Sequence, residues 1–174
     1  ETASLETLNE TRLRRLGQPY TAGTDDDPRI MSAGALDRLD APEGDAEWQC
    51  LTEALYFEAR GEPVEGQYAV AEVILNRVDN PAYPNTVCDV VNEGTGRRFA
   101  CQFTYTCDGQ PEDITDTAAW HRLGHVARIM LDGAPRDLTE DATHYHADWV
   151  NPRWASVYPQ TAEFGEHIFY RQQY

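Results

Sequence analysis

The chain contains no lysine. All 14 of its basic residues are arginine, set against 30 aspartates and glutamates, for a net charge of −16 over 174 residues. That imbalance speaks against nucleic acid and against an anionic membrane surface as partners, because both are held by basic patches. No apolar run is long enough to cross a bilayer, so no membrane span is expected. A polymer would have to be held by hydrogen bonds and stacking, which suits an uncharged or mixed-charge glycan; the plainer reading of the acidity is solubility, including at high salt. Also missing are the C-x2-C pairs of a zinc site: Cys50, Cys88, Cys101 and Cys107 form an even set without that spacing. Such a set reads as disulfides made in an oxidising compartment. Of the three possible pairings we expect Cys50–Cys88, joining the start of one core helix to the loop after the next, with Cys101–Cys107 closing a short hairpin or loop. The other two pairings stay open on the residues alone. A secretory leader is absent too, but the first residue is Glu1 and not methionine, so we expect a processed form and a periplasmic or secreted location.

What is present suffices for one core. The hydrophobic fraction is 41% and the mean hydropathy −0.62, which describes a real interior under a strongly polar surface. Residues 1–45 carry few large apolar side chains, and we expect a flexible or extended arm there, with at most a short helix on Leu5, Leu8, Leu13 and Leu16. The domain is expected over residues 46–174. Apolar periodicity predicts helices from Ala46 to about Arg60, from Pro63 to Val78 and from Thr115 to Asp132, ended by Gly61 and Gly133 where the chain must turn. Val87, Val90 and Val91 suit a short helical turn. Phe99–Cys107 has the composition of a hairpin or extended segment, Thr143–Trp149 of an extended piece or loop, and Glu163–Tyr170 of a short strand. The class is α+β, mainly helical, with a small β hairpin.

The helix from Ala46 carries the chemistry. Trp48, Leu51, Leu55 and Glu58 fall on one stripe, with Ala54 and Glu62 beside it. A carboxylate is thereby set on the face turned toward the core. Burial without partners favours the protonated form, and a protonated carboxyl against apolar walls is what a general acid needs at neutral pH. The structural alternative is a salt bridge from Glu58 to Arg60 or Arg77.

In chain order, LYFEARGEPVEGQYAVAEVILNRV, YPNTVCDVV, CQFTYTCDG, THYHADWVNPRWA and HIFY run over roughly residues 46–170. This series resembles the SleB/CwlJ family of cell-wall hydrolases. The resemblance implies a lysozyme-like fold, of the kind shared by goose-type lysozymes and lytic transglycosylases. It also implies cleavage of the β-1,4 bond between N-acetylmuramic acid and N-acetylglucosamine in peptidoglycan. The glutamate opening the family's E-A-R-G-E motif is its catalytic acid, and it falls on Glu58. Gln102, Phe103 and Thr104 match the family's Q-F-[ST] element, which lies across the cleft and offers amide and hydroxyl groups to the sugar. Tyr145, His146, Asn151, Pro152 and Trp154 match its Y-[YH]…N-P…W region. Tyr145 is the second catalytic candidate, as an orienter of Glu58, while His146, Asn151 and Trp154 are substrate-binding candidates. The family often shows Y-Y-Y-N-P; here Tyr145, His146, Ala147 and Asp148 precede Asn151 after an insertion, which leaves the placement of Asn151 open.

A protonated leaving oxygen needs one carboxylic acid, and a hydrolase of either stereochemistry usually needs a second carboxylate. A lytic transglycosylase does not, because the sugar's own C6 hydroxyl attacks. Glu62, one turn beyond Glu58, is either a substrate-binding residue or a helix-end residue that caps or holds Arg60. Asp108 and Asp148 sit in loops where an inverting hydrolase could use them, though both also suit ordinary turns. Glu53 and Glu72 read as surface. His144 with His146, and His121 with His125, have two-ligand spacings but no third ligand, so no metal is expected, and no cofactor. The expected function is a peptidoglycan lytic transglycosylase, probing glycan strands as a monomer. The alternatives are a water-using muramidase, a silent peptidoglycan-binding module, and a disulfide-bonded inhibitor or interaction protein that kept the fold.

Overall fold

The computed structural model describes residues 27–97 and 100–173. Among the described residues, five helices and a three-stranded antiparallel sheet make up the body: α1 Ala33–Asp37, α2 Ala46–Ala59, α3 Val64–Val78, α4 Val87–Val91, α5 Thr117–Leu131, β1 His144–Ala147, β2 Gln160–Phe164 and β3 His167–Tyr170. The expected α+β, mainly helical class holds. The short helix expected on Leu5–Leu16 lies outside the described residues.

Four of these helices start where a side chain caps them, and α3 opens on Pro63 without such a bond. Asp45 accepts from the Trp48 amide, Thr86 from Asp89 and Asp116 from Ala119, each satisfying a donor the helix itself leaves open. The stripe of α2 is buried as its periodicity demands, with Leu51 and Leu55 at 0% exposure. This helix also fixes its neighbours. The Glu47 carboxylate accepts from the Val87 and Cys88 amides at the head of α4, beside the Cys50–Cys88 disulfide. The Tyr56 hydroxyl accepts from the Thr115 and Asp116 amides just ahead of α5. Trp48 donates its Nε1 proton to the Gly124 carbonyl at 2.8 Å. That approach requires glycine, since a Cβ on residue 124 would sit 2.6 Å from Pro42 Cγ.

Helix α3 is central, and it carries three buried polar side chains, Gln67, Glu72 and Arg77. Glu72 is not the surface residue its pattern suggested. Its carboxylate accepts from the Leu138 and Thr139 amides and the Thr139 hydroxyl at 3.0, 2.9 and 2.8 Å, with Arg29 at 3.8 Å. A charge so supplied with donors can be buried. Glu53 is half-buried, and burial, helped by the Glu112 charge, raises its carboxyl above the ordinary range.

Two β expectations need correction. Thr104–Cys107 is a 3-10 turn, not a hairpin strand, because the Thr106 hydroxyl and amide both turn back to the Phe103 carbonyl and the Cys101–Cys107 disulfide closes the loop. The single strand expected over Glu163–Tyr170 is instead the hairpin β2–β3. Gly165 breaks it at φ +56, where a Cβ would also fall 1.9 Å from Glu62 Oε2. The strand order is β1-β3-β2, with Tyr145 opposite Phe169 and a bulge between Gln160 and Ala162.

The packed body also begins earlier than the boundary at Ala46. Leu36 is at 0% exposure within the core. The backbone of Ile30 both donates to and accepts from the Tyr68 hydroxyl, and Asp37 takes a two-pronged bond from Arg122. Low apolar content marked this stretch as an arm, but one leucine and a few polar anchors suffice to strap it down. Leu36→Ala should therefore cost about 2–5 kcal/mol in urea unfolding, while Leu39→Ala, at a residue 38% exposed, should cost under about 0.5 kcal/mol. Equal small losses at both positions would return the segment to the status of an arm.

Candidate active site

Glu58 projects from the last turn of α2 into a cleft of about 630 Å³. The walls come from the C-terminal end of α2, the 102–108 loop, and the β1 and β3 strands with their connecting turns. The Tyr145 hydroxyl donates to Glu58 Oε2 at 2.8 Å. Burial raises the Glu58 carboxyl above its ordinary 4.5, and the bond from Tyr145 offsets part of that rise. The phenol is pushed well above its own ordinary value, first by burial and then by the neighbouring carboxylate. The salt-bridge alternative fares poorly: Arg60 lies over the Tyr56 ring at 4.6 Å, and Arg77 gives its Nε proton to the Thr143 carbonyl at 2.7 Å.

Seven of the nine predicted site residues line this cleft: Glu58, Tyr145, Glu62, Gln102, Phe103, Thr104 and His146. Gln102 is exposed to it while its amide oxygen, in the orientation the bonding requires, takes protons from both terminal nitrogens of Arg77 at 3.1 and 3.2 Å. Glu62 is tied down: its Oε2 accepts from the Glu166 amide at 2.9 Å and its Oε1 lies 3.9 Å from His167 Nδ1. It holds the β2–β3 turn against the end of α2, and the Arg60 contact considered for it is not the one formed. His146 bonds the Tyr170 hydroxyl through Nε2. Asn151 and Trp154 fall outside the lining. Asn151 is exposed, and Trp154 packs among His144, His146, Tyr158 and Tyr170 behind the β1 strand. In that cluster burial, then Arg77, pushes His144 down to about 4.

The residue pattern did not single out Tyr105, Trp149, Val150 or His167, all of which line the cleft. Tyr105 stacks on Phe57 at 4.8 Å, and the His167 ring lies 4.9 Å from that of Tyr145. Only Trp149 offered a signal, as an indole in a loop. His121 and His125 pair with each other at 4.9 Å on α5, away from these walls.

A carboxylic acid on the last turn of a core helix, sunk in a cleft that a small antiparallel sheet closes, is the arrangement of a lysozyme-like domain. The chain belongs to the Cell Wall Hydrolase family, whose model matches residues 61–170, with Glu58 just ahead of that range. It is 35% identical over 147 residues to the spore cortex-lytic enzyme of Halalkalibacterium halodurans, covering 83% of this chain and 40% of the relative. To the Bacillus subtilis spore cortex-lytic enzyme it is 38% identical over 122 residues, covering 68% and 35%. The chain thus spans less than half the length of these curated relatives. Among solved structures, the catalytic domain of the germination-specific lytic transglycosylase SleB from Bacillus anthracis superposes with a TM-score of 0.57 at 34% identity, over 76% of this chain and 100% of that one. The catalytic domain of the Bacillus cereus SleB protein gives 0.55 at 35% identity, over 77% and 98%.

Two predictions follow from the electrostatics of Glu58. Its folded-state pKa is raised, so its contribution to stability is complete below the unfolded value and is lost as pH rises through the folded one. Glu58→Gln should therefore gain thermal stability relative to wild type on going from about pH 4 to about pH 8; a melting difference that ignores pH would contradict the burial argument. Tyr145→Phe removes the donor that stabilises the ionised carboxylate, so the Glu58 pKa should climb further. In a glycan-cleavage assay the alkaline limb of the pH profile should move to higher pH, with a rate loss of about tenfold or more. A rate loss without movement of the limb would reduce Tyr145 to a packing role.

Proposed function

We propose that this domain cleaves the β-1,4 bond between N-acetylmuramic acid and N-acetylglucosamine in peptidoglycan as a lytic transglycosylase, with Glu58 as general acid and then general base. The observation that carries the reading is the Glu58–Tyr145 pair at 2.8 Å: a desolvated carboxyl, oriented by a phenol, on the wall of a cleft. Protonated Glu58 gives its proton to the glycosidic oxygen as the C1–O bond breaks. The carboxylate so formed takes the proton of the C6 hydroxyl while O6 bonds to C1, closing a 1,6-anhydro ring. The substrate's N-acetyl group supports the positive charge at C1. Tyr145 keeps the carboxylate aimed through both steps.

The carboxylates weighed as a second acid favour this one-acid scheme, and Glu166, also on the lining, is an exposed residue of the turn that Glu62 holds. Glu62 is held by the Glu166 amide, and Asp108 Oδ1 accepts from the Gln110 amide in its own turn. Asp148 is exposed and outside the lining. Asp108 nevertheless lies on the wall, and it is the residue a water-using muramidase would recruit. A silent binding module has no use for a buried acid with a dedicated donor. The reading places the protein outside the cytoplasm, where its disulfides persist and its glycan partner lies.

The test is mass spectrometry of purified peptidoglycan digested by wild type and by Glu58→Gln. Wild type should release anhydro-muropeptides, and the variant should be slower by about 10²–10⁴-fold. Reducing-end products would convert the reading to a muramidase, with Asp108→Asn as the next variant. Absence of any product from wild type would leave a binding module.

A further inference from the structure

Trp149 is 70% exposed and its neighbour Val150 47% exposed, and both line the cleft that holds Glu58. The other tryptophans are embedded: Trp48 and Trp120 contact each other edge-on in the helical body, and Trp154 belongs to the aromatic cluster behind β1. Among the described residues Trp149 meets no other ring. It stands between Tyr145 and Asn151, just after the end of β1. The turn that carries it is nevertheless fixed. The Asp148 amide donates to the Glu166 carbonyl at 2.8 Å and the Val150 amide to the Ala147 carbonyl at 3.0 Å. The Glu166 amide in turn donates to Glu62 Oε2, just beyond the end of the helix that carries Glu58. The backbone that carries the indole is therefore tied by a short chain of bonds to the end of the helix that carries Glu58.

We infer that Trp149, with Val150, forms an added saccharide subsite at the rim of the cleft, on which one N-acetylhexosamine ring of the glycan strand stacks. This rests on the proposed function and adds a specificity determinant to it. A pyranose ring offers a flat face of C–H groups, and an exposed indole is the large apolar plane that such a face covers. Trp149, Val150 and Ala147 present an apolar surface beside the exposed Asp148 and Glu166, and the molecule carries −16, so the ring that stacks is held by its apolar face and not by charge. An indole has only two side-chain torsions to fix, so stacking on it costs little conformational entropy.

The probe is an octasaccharide of alternating N-acetylglucosamine and N-acetylmuramic acid with its lactyl carboxyls capped as amides, titrated by calorimetry into Glu58→Gln and into the double variant Glu58→Gln/Trp149→Ala. The dissociation constant should rise roughly three- to tenfold in the double variant, and Trp149→Tyr in place of Ala should recover most of the loss. In the otherwise wild-type chain, Trp149→Ala should raise KM by a similar factor and change kcat less than twofold. Equal affinity of the two variants, or no binding by either, overturns the subsite, as does a loss confined to kcat. Cleavage by wild type is followed in parallel. If wild type yields no product, the functional reading fails; if it cleaves normally while Trp149→Ala binds unchanged, the subsite alone fails.

Discussion

A guanidinium with almost no access to water organises the cleft. Arg77 is 2% exposed, among the largest fully buried side chains of the protein, and an ion in that position is tolerable only when its donors are used. Its Nε proton goes to the Thr143 carbonyl, at the entry to β1. Its terminal nitrogens reach the Gln102 amide oxygen, and its plane faces the rings of Tyr83 and Phe103. One side chain of the central helix thus joins the strand that carries Tyr145 to the loop that carries Gln102 and Phe103. Lysine could not replace it, because a single ammonium lacks the planar fork that serves two segments and two aromatic faces together. Its charge also favours the ionised form of Tyr145 and the neutral form of His144.

Glu58 is the opposite kind of buried group. Arg77 spends its protons on the Thr143 and Gln102 oxygens and holds position, whereas Glu58 accepts from Tyr145 and is otherwise desolvated, which raises its carboxyl pKa. The two are separated in role by the number of partners each has. Glu72 makes the same point on the far side of α3: three donors converge on its carboxylate, and it serves as an anchor for the 138–139 loop. On the proposed function, the number of partners is what distinguishes Glu58 from the structural Glu72, where burial alone does not.

That distinction also marks how far the residues could be read. The helical stripe that put Glu58 inward was legible, because a 3.6 period shows which face is buried and a carboxylate on that face stands out. The three long helices and the α4 turn were legible for the same reason, local spacing; the Cys50–Cys88 and Cys101–Cys107 pairs formed as expected, although the residues alone left the other pairings open. Glu72 was not, since its donors lie on a loop far along the chain and periodicity is silent about such partners. The 3-10 turn at Thr104–Cys107 was masked by β-branched and aromatic composition that a short disulfide loop overrides. Gly165 read as one more strand position because its need for positive φ comes from the Glu62 carboxylate packed against it. Trp154 and Asn151 were placed by motif, and both lie outside the cleft lining that Trp149 joins.

The all-arginine composition acquires a meaning from these contacts. Arg29 bonds Asp27 and Asp137 at once, Arg122 grips Asp37 with two nitrogens, and Arg128 does the same to Asp132. Two of these three fasten the strap over residues 27–42 to the helical body. With 30 acidic side chains to 14 basic ones, most carboxylates have no cation to pair with, so each cation is worth most where its geometry binds bidentately. Pairs at the surface weaken with salt, but the strap is also held by Leu36 in the core and by Tyr68 on the Ile30 backbone. Those contacts are indifferent to ionic strength. The surplus charge can therefore face solvent as a hydrating shell, while the fold and the cleft depend on apolar burial and on a few arginines whose bonds are made inside.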